Sequence, residues 1–170
     1  MDVFIRRLSE ADVATYRQIR LESLQRHPDL FGTSYDEEAA LPDDVFVQQL
    51  RTNLILGGGA DEQHITGIVG FIVGGAAKVR HKGILWGLYV QPEARASGLA
   101  KALVNTLIDA VKDEVEQIQL SVGTHNIPAA RLYQGFGFEP YGLENSALKV
   151  GEQSFDEVLM ALDLRKLKQS

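Results

Sequence analysis

The sequence of 170 residues contains no cysteine, one tryptophan and two methionines. Without cysteine there is no disulfide framework, no thiolate metal site and no acyl-cysteine intermediate, and we expect no bound metal. The absence also agrees with a reducing compartment, which favours a cytoplasmic protein. There is no run of about 18 apolar residues, and the opening segment MDVFIRRLSE has no long apolar stretch behind positive charges. We therefore expect neither a membrane partner nor an export signal.

Basic residues are outnumbered by acidic ones. The chain has 17 lysines and arginines against 23 aspartates and glutamates, which gives a formal net charge of −6 at pH 7. Because such a chain repels a polyanion, we expect no nucleic-acid partner, and any anion must be bound by a local arrangement of donors. The length suits one hydrophobic core better than two, so we predict a single domain over residues 1–170.

Hydrophobic periodicity predicts a strand, a helix and then a meander in the first half of the chain. The first strand is expected at residues 3–8, and Ser9 begins a Ser-x-x-acid capping pattern for a helix to about Arg26. An irregular acidic connection at residues 28–44 and a short helix at 44–51 are expected to follow. Three antiparallel strands are then expected at 53–56, 64–75 and 84–90. We interpret Gly57, Gly58 and Gly59 as a hairpin turn.

The second half changes to a strand–helix–strand pattern. A stripe of leucine and valine at helical spacing predicts a helix over residues 98–113. The alternating segment 117–123 is expected to be a strand parallel to the one before the helix, because a helical crossover joins them. A short helix at 126–134 and two closing strands at 136–141 and 157–164, around a long polar turn, complete the prediction. The fold class is mixed α/β: a central mixed sheet of six or seven strands flanked by about four helices, with an antiparallel meander followed by a βαβ unit.

The segment QPEARASGLAKALV, residues 91–104, places Arg95, Gly98 and Lys101 at the start of the long helix. The first turn of a helix has unpaired backbone N–H groups and about half a positive charge from the aligned peptide dipoles. Phosphates bind at such positions, so the segment is a candidate cradle for a pyrophosphate. A solvated arginine and an ordinary glycine turn would give the same string. The glycine fingerprints of dinucleotide sites and of P-loops are both absent.

Two motifs make this interpretation more specific. The segment VQPEARASGLAKAL resembles the acetyl-CoA motif of the GNAT superfamily of N-acetyltransferases, Arg/Gln-x-x-Gly-x-Gly/Ala after a Val-x-Pro strand end, with Arg95, Gly98 and Ala100 in those places. The segment NIPAARLYQGFGF is similar to the family's second motif, Asn-x-x-Ala-x-x-Leu-Tyr followed by Gly-Phe. The matching residues there are Asn126, Ala129, Leu132, Tyr133, Gly137 and Phe138. The resemblance is strong over residues 83–141 and depends on element order in the N-terminal part.

The resemblance implies acetyl-CoA as co-substrate. Main-chain groups at the end of the family's fourth strand would hold the pantetheine arm, and the helix start would hold the pyrophosphate. Gly87 lies where the family's fourth and fifth strands splay apart, so a strand N–H exposed there could polarise the thioester carbonyl. Many relatives pair, which implies a homodimer. The implied cofactor-binding residues are Leu88, Tyr89, Val90, Arg95, Ala96, Ser97, Gly98, Leu99, Ala100, Lys101, Asn126, Ala129, Leu132 and Tyr133.

Tyr133 is the candidate catalytic residue, as the acid that protonates the leaving thiolate. A phenol with an ordinary pKa of about 10 keeps its proton at neutral pH, although the same tyrosine could be a core aromatic before a helix-ending glycine. The general base stays unassigned, because residues 84–90 contain no Glu, Asp or His where some family members place a Glu. His125, Glu22 and Glu37 are candidates, and each is equally explained as a structural or solvated residue.

Two functions remain open. The first is an N-acetyltransferase that transfers the acetyl group directly to a primary amine of a small molecule or peptide. The alternative is a non-catalytic acyl-CoA-binding or regulatory module; Tyr133 favours the enzyme and the missing base favours the module. The acidic connection would attract a cationic acceptor if it borders the cleft, or is otherwise a solvated loop. Its acidic residues are Asp36, Glu37, Glu38, Asp43 and Asp44.

Overall fold

The structure, a computed structural model, describes residues 2–168. The strands are β1 (Phe4–Arg7), β2 (Leu54–Gly59), β3 (Ile65–Val73), β4 (Lys82–Val90), β5 (Gln117–Gly123), β6 (Glu139–Val150) and β7 (Gln153–Asp163). The helices are α1 (Val13–Arg26), α2 (Tyr35–Ala39), α3 (Asp43–Thr52), α4 (Leu99–Val111), α5 (Ile127–Gly135) and α6 (Leu164–Lys168). No helix in this range is long and apolar enough to cross a bilayer.

All seven strands form one sheet in the order β1-β2-β3-β4-β5-β7-β6. Neighbouring strands are antiparallel except β4 and β5, which are parallel because α4 crosses between them. The meander of β2, β3 and β4 and the following βαβ unit are therefore confirmed, and β1 extends the meander by one strand. The predicted fold class, a mixed sheet flanked by helices, is confirmed as well.

Helices cover both faces of the sheet. The leucine stripe of α4 packs on one face, where Leu103 and Leu107 are fully buried. On the other face α1 and α3 cover β2, β3 and the end of β4, with Tyr16 against Phe46 at a ring separation of 6.2 Å. The Ser9–Asp12 cap is present, since the Asp12 carboxylate accepts a 2.8 Å hydrogen bond from the Ser9 N–H. The last two residues of β4, Tyr89 and Val90, are buried between the two layers, and the preceding three are half-buried.

The triple glycine is not a turn, contrary to the sequence-based interpretation. Gly57, Gly58 and Gly59 belong to β2, and a Cβ on Gly58 would lie 2.5 Å from Ile5 and 2.8 Å from Leu99. Glycine is needed there because β1 and α4 approach the backbone closely. The turn follows at residues 60–64, where the Asp61 carboxylate accepts hydrogen bonds from two successive N–H groups.

Two further predictions are wrong in extent. The closing strands are long and joined by a tight turn at Gly151, whose φ is +60°, rather than by a long polar loop. Because β6 is an edge strand exposed on both faces, its residues lack the alternation by which a strand is found in sequence. The connection at 28–44 is also not wholly irregular, since α2 lies within it and Ser34 caps its N-terminus.

Candidate active site

The parallel strands β4 and β5 are paired only at their beginnings. Their register runs from Lys82 opposite Gln117 to Ile84 opposite Gln119, and beyond these residues the two strands separate. The separation begins before a bulge in β4, where the register with β3 shifts and Gly87 takes a φ of +66°. A bulge bends its strand away from regular pairing, and the left-handed φ favours glycine. The predicted splay at Gly87 is therefore present.

The separation opens into a cavity of about 400 Å³. Its walls come from β4, from β5 beyond the paired part, from α5 and from the end of α1. Most of the lining side chains are apolar, and there is no Asp or Glu among them. They are His27, Leu30, Phe31, Leu85, Trp86, Gly87, Leu88, Tyr89, Val90, Arg95, Ala100, Leu120, Ser121, Val122, Gly123, Asn126, Pro128, Ala129, Leu132 and Tyr133.

Most of the residues implied by the two motifs meet on this wall. The structure brings together Leu88, Tyr89, Val90, Arg95, Ala100, Asn126, Ala129, Leu132 and Tyr133. The rest form the adjoining turn and helix start: Ala96, Ser97, Gly98, Leu99 and Lys101. The Leu99 side chain is buried in the core with 1% exposure, so only its main chain can serve a ligand. The Lys101 side chain is exposed.

The helix start next to the cavity is shaped by Gly98. A 3-10 turn, Pro92–Ser97, leads into Gly98, whose φ of +81° lies in the left-handed region, and α4 begins directly after it. The N–H of Ala102 bonds to the Gly98 carbonyl at 3.1 Å. The N–H groups of Leu99, Ala100 and Lys101 come before this first hydrogen bond of α4 and are available to an anion.

Arg95 folds back over the wall of the cavity. Its Nε donates to the Val90 carbonyl at 3.2 Å, its Nη2 donates to the His27 Nε2 at 3.1 Å, and its Cζ lies 6.0 Å from the centre of the Tyr89 ring. Because an arginine can only donate, the His27 Nε2 must carry a lone pair. Burial, and then the positive charge of Arg95, lower the pKa of His27 below its ordinary value.

Tyr133 reaches the cavity from α5. The ring is 6% exposed and packs edge-on against Phe138 at 5.7 Å. Burial holds the pKa of its hydroxyl above the ordinary value, so the group keeps its proton at neutral pH. The hydroxyl has no hydrogen-bond partner among residues 2–168. In that range every side-chain N or O atom that is shielded from solvent does have a partner. The Tyr133 oxygen therefore keeps contact with solvent.

Asn126 does not cap α5 with its side chain. Its backbone N–H bonds to the Gly123 carbonyl at 2.9 Å and its carbonyl accepts from Ala130 at 3.1 Å, but no side-chain cap is formed. Asn126 is among the residues that line the cavity.

The base candidates are all engaged elsewhere. His125 pairs with Asp29 at 2.8 Å and is not on the cavity wall. Glu22 accepts a 2.6 Å hydrogen bond from the Tyr89 hydroxyl and a 3.2 Å bond from the Gln91 side chain. Glu37 accepts from the Ser34 hydroxyl at 2.9 Å and borders a second depression of about 540 Å³.

Several wall residues were not predicted from the sequence. His27, Leu30 and Phe31 follow α1, and Trp86 precedes the bulge. No local pattern marks them: the three residues after α1 reach the cavity through the packing of α1 against β4, and Trp86 stands in β4 before the motif begins. Phe31 also borders the second depression, so this residue is shared by the two linings.

Comparisons with known proteins agree with this geometry. The model of the acetyltransferase (GNAT) family matches residues 16–138. Human N-acetyltransferase 8 is 35% identical over 83 residues, which make up 48% of this chain and 37% of that protein. The match thus spans little more than a third of the length of that curated relative.

Two solved structures share the fold. An acetyltransferase of the GNAT family from Streptococcus pneumoniae has a TM-score of 0.81 at 22% identity, covering 95% of this chain and 99% of that chain. The structure of yncA from Salmonella typhimurium was solved with its cofactor acetyl-CoA. Its TM-score is 0.83 at 18% identity, and the match covers 96% of this chain and 95% of that chain.

Proposed function

The chain belongs to the acetyltransferase (GNAT) family, and from this premise we propose that it transfers the acetyl group of acetyl-CoA directly to a primary amine of a small molecule or peptide. The observation that carries the proposal is the opening between β4 and β5, which the Gly87 bulge borders. A free strand edge beside a largely apolar cavity suits an extended arm with amide groups. Direct transfer follows from the absence of cysteine.

The residues present fit acetyl-CoA at two places. The free N–H groups that open α4 would hold the diphosphate, with Arg95 and Lys101 adding positive charge. Main-chain groups of Leu88, Tyr89 and Val90 and the Asn126 amide would hold the pantetheine arm. The bound cofactor supplies an activated thioester carbonyl.

The reaction needs a donor for the carbonyl oxygen, an acid for the sulfur and an acceptor for the proton of the amine. An unpaired strand N–H near Leu88 would stabilise the negative charge that develops on the carbonyl oxygen when the amine attacks. The Tyr133 hydroxyl would donate its proton to the sulfur as the C–S bond breaks and the C–N bond forms. The proton lost by the amine would leave through water, since no carboxylate lines the cavity.

One observation favours the alternative function, a non-catalytic acyl-CoA-binding module. The one imidazole on the described cavity wall, His27, has its Nε2 occupied by Arg95. The amine would then have no side-chain base. Release of free CoA thiol from acetyl-CoA, followed with a panel of primary amines, separates the two functions: amine-dependent release supports the enzyme, and tight binding without release supports the module.

The remaining expectations stay predictions. These are a cytoplasmic location and association into a homodimer.

A further inference from the structure

Arg20 is buried beside the bulge and does not use all of its donors. Its side chain is 9% exposed and that of Glu38 is 8% exposed. The Glu38 carboxylate accepts from the Arg20 Nε at 3.1 Å and from Nη2 at 3.0 Å, and Nη2 also donates to the Thr33 hydroxyl at 3.2 Å. The second terminal nitrogen, Nη1, has no partner among residues 2–168.

This free nitrogen points toward Gly87. A Cβ built on Gly87 would lie 3.5 Å from Nη1, and apart from residues adjacent in the chain no other atom of the described structure lies within 4 Å of that position. Every solvent-shielded side-chain N or O atom in residues 2–168 has a hydrogen-bond partner. Since Nη1 has none, it must be in contact with solvent. Gly87 lines the cavity and Arg20 does not, so the gap left by the missing side chain of Gly87 is the route from the cavity to Nη1.

Two aromatic rings enclose the guanidinium. Its Cζ lies 5.6 Å from the centre of the Phe31 ring and 5.5 Å from that of Trp86, and both rings line the cavity. The Trp86 ring is fixed because its Nε1 donates to the Asn53 side chain at 3.1 Å. A guanidinium held between aromatic faces and a carboxylate presents its remaining N–H groups in a fixed direction.

Arginines of α1 neutralise two of the five acids of the acidic connection. Glu38 is committed to Arg20, and Asp43 pairs with Arg17 at 2.7 Å. Glu37 accepts one hydrogen bond, from the Ser34 hydroxyl, and Asp36, Glu37 and Asp44 form no ion pair in the described part of the chain. The bulge in β4 therefore has a guanidinium donor beside it, whereas the unpaired Asp36 and Glu37 border the second depression.

From this arrangement, which depends on the function proposed above, we infer that the acceptor is an α-amino acid whose carboxylate binds Arg20 Nη1. The apolar walls at Phe31 and Trp86 then take its side chain, and the amine, two bonds from the carboxyl carbon, is held next to the Gly87 bulge. Arg20 is a binding residue in this assignment.

The test uses three acceptors that differ only in the carboxyl group: L-phenylalanine, L-phenylalaninamide and phenethylamine. CoA thiol release is measured with the full chain and acetyl-CoA across pH, and kcat/KM is compared at equal concentration of neutral amine. Loss of a charge-assisted hydrogen bond predicts kcat/KM lower by roughly 10- to 100-fold for phenethylamine than for phenylalanine, mainly through KM. Equal values for phenethylamine, or for the amide, overturn the inference.

Variants connect the effect to Arg20. Arg20→Gln with Glu38→Gln removes both buried charges together and is expected to bring the phenylalanine-to-phenethylamine ratio close to one. Arg17→Gln, one turn earlier on α1, is the matched control and should keep the ratio of the unmodified chain. A ratio that persists in the double variant overturns the role of Arg20, and if that variant fails to fold, the three-acceptor comparison decides alone.

The outcomes separate this inference from the function on which it depends. If acetyl-CoA neither binds nor loses its acetyl group with any primary amine, the proposed function fails. If it binds and simple amines are acetylated as well as amino acids, only the carboxylate assignment fails.

Discussion

The guanidinium of Arg95 donates a 3.1 Å hydrogen bond from Nη2 to Nε2 of His27. This contact joins the turn before α4 to the residue that follows α1, and both residues line the cavity. It also holds Arg95 over Tyr89 rather than extended along the free N–H groups of the helix start. A diphosphate at the helix start would compete with His27 for this arginine.

We therefore predict that acetyl-CoA binding is linked to proton uptake by His27. In the free protein burial and Arg95 lower the pKa of His27, and movement of Arg95 toward a diphosphate removes the second of these causes. The bound state then holds more protons, so affinity should rise as pH falls from the pKa of His27 in the bound state to its lower pKa in the free protein. Calorimetry in two buffers of different ionisation enthalpy measures the uptake.

The control for this prediction is His27→Gln, which retains polarity but cannot titrate. The variant should lose the histidine part of the uptake and keep any part that belongs to the phosphates of the cofactor. Identical uptake in the variant and the unmodified chain would exclude His27.

Tyr133→Phe tests the proton donor. We expect kcat to fall roughly 100-fold, because the leaving sulfur loses its acid, while acetyl-CoA affinity stays nearly constant because only one oxygen is removed. Single-turnover thiol release and equilibrium binding measure the two quantities. Tyr141→Phe is the control, since that ring is 54% exposed and outside the cavity. Unchanged kcat in Tyr133→Phe would remove this residue from the mechanism.

Gly98→Ala tests the shape of the helix start. There is space for a methyl group, since no atom lies within 4 Å of the added Cβ, but the φ of +81° is unfavourable for alanine. We expect a loss of about 1–2 kcal/mol in unfolding free energy, together with weaker acetyl-CoA binding. Gly75→Ala, also in open space but without a positive φ, should change neither quantity. Equal affinity in both variants would show that the left-handed residue does not set the site.

Two ion pairs that α1 makes with other segments, Arg20–Glu38 and Arg17–Asp43, should differ sharply in their effect on stability. Glu38→Ala leaves the buried guanidinium of Arg20 without its carboxylate, and we expect a loss of about 3–5 kcal/mol in unfolding free energy. Asp43→Ala breaks a pair whose aspartate is 67% exposed, and about 0–1 kcal/mol is expected. Urea denaturation monitored by tryptophan fluorescence measures both. Similar losses for the two variants would contradict the structural role of the buried pair.

Local pattern predicts much of this fold and part of its site. The helix at Leu99 and the strand at Gln117 were predictable because each repeats one side-chain period along its length. Only the start of β6 was predicted, within the strand expected at 136–141, because an edge strand exposed on both faces has no such period over its length. The glycines of β2 were misread because their reason is the close approach of Ile5 and Leu99, which are distant in sequence.

The same distinction holds for the site. The wall residues of α5 and of the end of β4 stand in contiguous motifs, so a sequence resemblance finds them. Arg20, Phe31 and Trp86 meet through the packing of α1 and the following loop on the bulge, and no motif joins them. The part of the site that would recognise the acceptor is therefore the part that only the structure reveals.

The central claim is that the opening between β4 and β5, with the free amides at the start of α4, binds acetyl-CoA. Its most direct test is calorimetric titration of the purified chain with acetyl-CoA. We expect a saturable heat corresponding to one site per chain, weakened in Gly98→Ala and retained in Tyr133→Phe. Absence of any binding heat at millimolar acetyl-CoA would rule out this binding site.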